Sequence, residues 1–202
     1  IEERLVGSEM CIRDRVYTPT MLKNIRLVVF QIRDLLEEDV VKSIGETGLD
    51  FYRNFSAAKQ QELSFEAHLE LAIETRYPLF LHERDAHKRF IEIISPYKED
   101  LPKSVVHCFT GNKEALEKYI EMGFYIGITG WLCDERRGKH LIDLIPIIPL
   151  DKLMIETDCP YLLPRDMGID NSTRNEPQFL KHIAERIAEI RPEIKELLFS
   201  AI

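Results

Sequence analysis

Four residues able to bind a metal, Glu46, His82, His107 and Asp158, recur at one point of a repeating pattern, directly after a short apolar run. Val40 to Ile44 leads into Gly45-Glu46, Pro78 to Leu81 into His82, Ser104 to Val106 into His107, and Leu153 to Ile155 into Glu156-Thr157-Asp158. Two imidazoles with two carboxylates suit zinc, manganese or iron, and an oxygen-rich set completed by water also holds magnesium. One histidine at such a point is more often a hydrogen-bonded core or rim residue than a ligand. Four ligand-type residues at four equivalent points are a pattern that chance rarely produces.

The apolar runs, with Phe124 to Ile128 as a fifth, lack the polar alternation of a half-exposed strand, so they predict strands covered on both faces and therefore a parallel sheet. Between them lie segments of crossover length. Ala58 to Arg76 places Phe65, Leu69, Ala72 and Ile73 on one helical face, and its length favours a helix over the strand-like alternation of Leu63, Phe65, Ala67, Leu69 and Leu71. Lys113 to Met122 turns Leu116, Tyr119 and Ile120 inward and stops at Gly123. Arg136 to Ile145 stops at Pro146, and Pro177 to Ile190 opens on proline and stops before Pro192. Repeating strand, loop and helix units with polar residues at strand ends predict a TIM-like (β/α) barrel, in which residues distant in sequence meet at the C-terminal mouth. A doubly wound dinucleotide fold is the rival, but Gly45-Glu46-Thr47-Gly48 lacks the G-x-G-x-x-G spacing.

At 202 residues and 45% hydrophobic composition, one sizeable core and a single domain are expected. No apolar run approaches the roughly 20 residues of a membrane span. Cys11, Cys108, Cys133 and Cys159 form no close pair, which fits reduced thiols and a cytoplasmic location. A net charge of −8 counts against a protein that coats nucleic acid, since such binding relies on neutralising phosphate with Lys and Arg. It leaves room for a nuclease that uses bound metal as its phosphate-binding charge.

Six ordered stretches resemble the signature blocks of the TatD-type deoxyribonucleases. They are Ser43-Ile-Gly-Glu-Thr-Gly-Leu-Asp50, Phe80-Leu-His-Glu-Arg-Asp-Ala86, Val105-Val-His-Cys-Phe-Thr-Gly111, Gly127-Ile-Thr-Gly-Trp-Leu-Cys-Asp-Glu-Arg-Arg-Gly138, Ile155-Glu-Thr-Asp-Cys-Pro-Tyr-Leu162 and Leu163-Pro-Arg-Asp166. The resemblance covers about Val40 to Ile190. It implies a metal-dependent hydrolase on a barrel, with one or two divalent ions, Mg2+ foremost and Mn2+ or Zn2+ tolerated. Glu46 would bridge two metals, His82 and His107 would complete one, and Asp158 would bind the other and take the proton of the attacking water. The implied reaction is stepwise hydrolysis of DNA phosphodiesters, chiefly from the 3′ end of a single strand, with no membrane or obligate protein partner.

One departure from the family pattern concerns its histidine-x-histidine pair at the end of the first strand, which this chain lacks. Glu46 comes about one strand-and-helix unit early for a barrel of about 250 residues. The chain is accordingly expected to lack the first strand and the closing helix, and to be impaired as an enzyme. Residues 1–15 resemble no part of the family and are expected to be a foreign leader, with the barrel domain over 16–202.

Other residues admit two readings each. Arg84 and Asp85 either orient His82 or touch phosphate, or are solvated loop residues. Trp131 with Arg136, Arg137 and Lys139 offers phosphate contacts and a stacked base, or is an ordinary exposed helix start. Cys108 and Cys159 are expected to pack in the core, and His68, His87, His140 and His182 to face solvent. Two rival functions remain: a small-molecule amidohydrolase on the same barrel and a catalytically silent barrel fragment.

Overall fold

Apolar runs bounded by glycine and ligand-type residues become parallel strands in the computed structural model, which describes residues 25–194. The elements are α1 (Ile25–Leu35), β1 (Ile44–Asp50), α2 (Ala58–Thr75), β2 (Leu79–Arg84), α3 (His87–Ile94), β3 (Val105–Val106), α4 (Lys113–Glu121), β4 (Tyr125–Ile128), α5 (Lys139–Leu144), β5 (Leu153–Ile155) and α6 (Leu180–Ile190). The chain divides into two compact units, with the boundary between Val106 and His107. The expected leader, residues 1–15, lies outside the described residues.

In the first unit β1 pairs with β2 and β2 with β3, both in parallel. The strand β1 corrects the expected run of Val40 to Ile44. Val40 is 68% exposed, pairing begins at Ile44 opposite Leu79, and it continues through Gly48 opposite His82 to Asp50 opposite Arg84. The polar Gly45-Glu46-Thr47-Gly48 segment hides this strand from a reading by hydrophobicity. Glu46 is thus inside the strand, at a register shift between Gly45 and Thr47, where a bulge re-aims a side chain. His82 likewise lies within β2. Phe65, Leu69 and Ala72 of α2 are buried as expected, while Leu63 is exposed, so the 3.6-residue period describes this segment. Helix α1, unforeseen from the sequence, buries Val28 and Ile32 at four-residue spacing and joins α2 through the Arg33–Glu74 ion pair.

In the second unit β4 and β5 pair in parallel, Ile126 opposite Leu153 and Ile128 opposite Ile155. Asn112 caps α4 by accepting from the Ala115 N–H at 2.9 Å, and Gly123 follows the helix with φ +83°. Helix α5 starts at Lys139, later than the expected Arg136. The Asp134 carboxylate binds the Arg136 backbone N–H and the Arg136 and Arg137 side chains, and its carbonyl accepts from Arg137 N–H, which holds the preceding residues in a turn. Among the described residues no helix is long and apolar enough to cross a membrane.

Candidate metal centre

In the first unit the metal-ligand candidates are Glu46 and His82. His82 Nδ1 lies 2.6 Å from Glu46 Oε1, and its Nε2 lies 3.1 Å from Asp50 Oδ2. Both nitrogens of one ring therefore face carboxylates. Gly48 makes the strands meet this closely: it has φ +146° opposite His82, and a Cβ there would overlap the His82 carbonyl.

Asp50 is itself held. Its Oδ1 accepts the Arg53 N–H at 2.7 Å, and its own N–H donates to Gln61 Oε1 at 2.9 Å. Gln61, buried in the first turns of α2, returns its amide to Ser56 O at 2.8 Å and to Asp50 O at 3.2 Å. Burial alone would raise the pKa of the Asp50 carboxyl. The bonds from His82 and the Arg53 N–H, with the positive charge near them, outweigh burial and hold it below the usual range.

This donor set fits a cation. Glu46 and His82 Nδ1 would be ligands to that cation, with Asp50 on the far nitrogen to fix ring orientation and tautomer. Neither Asp50 nor Gln61 was assigned a role from the sequence. Asp50 stands in the block that carries Glu46, four residues on in the same strand, which was the available signal.

In the second unit the metal-ligand candidates are His107 and Asp158. His107 is buried, with Nδ1 3.4 Å from Glu156 Oε1, and the same carboxylate accepts the Cys108 N–H. Gly127 in β4 leaves the space this carboxylate fills, since a Cβ there would overlap it. The Cys108 thiol lies 3.3 Å from the Thr129 hydroxyl and is pushed up to about 12, chiefly by burial. The turn bearing Asp158 closes through Tyr161 N–H to Asp158 O at 2.7 Å, and buried Asn175 ties it down by donating to Thr157 Oγ1 at 2.9 Å and Tyr161 O at 2.6 Å. Glu156 stands inside the block that carries Asp158, which was its available signal, while Asn175 lies outside every block and gave none.

The other candidates are spread out. The Arg84 guanidinium stacks 3.9 Å from the Tyr52 ring centroid in the first unit. In the second unit Arg137 stacks 4.1 Å over Trp131, while Arg136 and Arg137 are bound to Asp134, which is 1% exposed. His68 overturns the expectation of a solvent-facing residue. It is fully buried on the α2 face that carries Phe65 and Leu69, with Nδ1 2.6 Å from Ser64 O. His87 and His182 are half-buried, and His140 is exposed.

A family model described as TatD related DNase matches residues 17–202. A 3′-5′ ssDNA/RNA exonuclease TatD from Escherichia fergusonii is 53% identical over 163 residues, 80% of this chain and 63% of the relative. Its counterpart from Rahnella sp. is 55% identical over 163 residues, 80% of this chain and 62% of the relative. The chain thus spans a little under two thirds of the length of these relatives. Among solved structures, the TatD homologue YjjV of Escherichia coli superposes with TM-score 0.71 at 24% identity, covering 86% of this chain and 63% of that one. A TatD-family hydrolase of Entamoeba histolytica gives 0.66 at 28%, over 82% and 61%. An uncharacterized amidohydrolase of Saccharomyces cerevisiae gives 0.72 at 19%, over 89% and 68%. These likenesses assign the fold as an incomplete TIM-like α/β barrel, with five strands among the described residues.

Proposed function

Because this chain belongs to the TatD-related DNase family, we propose that it is a metal-dependent nuclease that removes nucleotides stepwise from the 3′ end of single-stranded DNA. The observation that carries the reading is the His82 ring, whose two nitrogens face Glu46 and Asp50, an arrangement that orients an imidazole for a cation. The 3′-5′ ssDNA/RNA exonuclease named for the matched relatives supports the substrate class.

Glu46, His82 and His107 would hold one divalent ion, and Asp158 with Glu46 would hold a second. The register of the first unit supports the shared role of the histidines. Leu81 pairs with Val106, so His82 and His107 are each the next residue along neighbouring strands. When bound, Mg2+, or Mn2+ in its place, stabilises the charge on the scissile phosphate and acidifies the attacking water. Asp158 would take up the proton of the attacking water, while Glu156 steadies His107 as Asp50 steadies His82. Arg84 on Tyr52 and Trp131 with Arg136 and Arg137 contact phosphate and base along the strand. The thiols Cys108 and Cys133 support a reducing compartment, the cytoplasm.

A 5′-labelled single-stranded oligonucleotide given Mg2+ or Mn2+ tests this. It should shorten in single steps from its 3′ end, stop on chelation, and slow by orders of magnitude with Asp158→Asn or Glu46→Gln. An oligonucleotide left intact with either ion, or shortened equally in chelator, would refute it.

A further inference from the structure

We propose that Cys133, Asp166 and His182, all in the second unit and all outside the nuclease centre, form a binding site for a thiophilic divalent cation, Zn2+ foremost. Three separate segments supply the ligands: Cys133 ends the 3-10 turn Gly130–Cys133, Asp166 sits in the 3-10 turn Arg165–Met167, and His182 lies in the first turn of α6. Their donor atoms all lie within 4.8 Å of one another.

The donor set is a thiol, a carboxylate and an imidazole, the mixed sulfur, oxygen and nitrogen set that zinc takes in tetrahedral sites. Zinc bond lengths place neighbouring ligand atoms about 3.3–3.6 Å apart. His182 Nε2 and Asp166 Oδ1, now 2.6 Å apart across a proton, need to open by less than 1 Å to admit the ion. Their side chains, 30% and 34% exposed, have that freedom, and they leave the fourth position to water. Cys133 is buried and anchors the site from below.

Charge also balances. The Cys133 thiol gives its proton to a hydrogen bond with the Asp166 carboxylate. An ion displaces that proton. A thiolate and a carboxylate then cancel the two charges of the metal. Arg186 has Nε 3.7 Å from Asp166 Oδ2 and is paired through Nη1 with Glu189. Its Nε–H is buried without a hydrogen-bond acceptor, and a Cys133 thiolate would be an anion close to it. The ion would fasten the turn that follows the Asp158 segment to helix α6.

Co2+ serves as the spectroscopic probe, because only a cysteine ligand gives a thiolate-to-cobalt charge-transfer band in the near ultraviolet, and the nuclease centre has none. The full chain titrated with Co2+ should develop the band, and Zn2+ should abolish it. Cys11→Ser, Cys108→Ser and Cys159→Ser should keep it, Cys133→Ser should lose it, and His182→Gln should weaken Co2+ at least tenfold. His182 is half-exposed, so its variant decides the matter if Cys133→Ser fails to fold. A folded chain without the band, a band that survives in Cys133→Ser, or undiminished affinity in His182→Gln would overturn the proposal. None of these outcomes depends on nuclease activity.

Discussion

His82 donates from Nε2 to Asp50 across 3.1 Å, and Asp50 is pinned in turn by the Arg53 and Gln61 contacts, so the imidazole cannot swing without breaking a buried network. Asp50→Ala should leave the strand pairing intact and weaken divalent-ion binding by about 10–100-fold, the usual effect of removing an orienting carboxylate. Isothermal titration of Mn2+ measures it. Unchanged affinity would show that Glu46 alone sets the ring.

Gly127 and Glu156 compete for one volume. Gly127→Ala should push the Glu156 carboxylate off the Cys108 N–H and cost about 1–3 kcal/mol in urea denaturation, the range for overpacking a filled site. In a Glu156→Ala background the same substitution should cost much less, since the group it strikes is gone. Equal costs in both backgrounds would place the strain elsewhere.

His68 supplies a pH dependence. Burial holds its pKa below the ordinary value, with the Ser64 carbonyl contact opposing, so the folded chain keeps the ring neutral. The unfolded chain takes up a proton near the ordinary histidine pKa of about 6.5. The contribution of His68 to stability is therefore whole above about pH 6.5 and falls as pH drops from there toward the lowered folded value. His68→Gln should flatten the slope of stability between about pH 6.5 and 5. Parallel curves for the two proteins in that window would contradict a neutral buried ring.

His82, His107 and Asp158 stand out as candidates in the sequence because strands buried on both faces are apolar runs, and the polar residues that end those runs are conspicuous. The same physics obscured β1. Gly45-Glu46-Thr47-Gly48 is too polar to look like a strand, yet all seven residues of Ile44–Asp50 are buried, since Glu46 and Asp50 find His82 and Gly48 lets β2 approach. Helical period likewise gave Phe65 and Leu69 as core but not His68. A histidine becomes tolerable there only because Ser64 O, one turn back, accepts its proton. Sequence by itself thus determined the family and most element types and marked the ligand-type candidates, all of which depend on local polarity and order along the chain. The tertiary structure alone decided which partner each side chain meets: Asp50 for His82, Glu156 for His107, and Asp166 for both Cys133 and His182. Those pairings arise when strand register and helix placement bring distant segments within hydrogen-bond reach, and no local pattern encodes that distance.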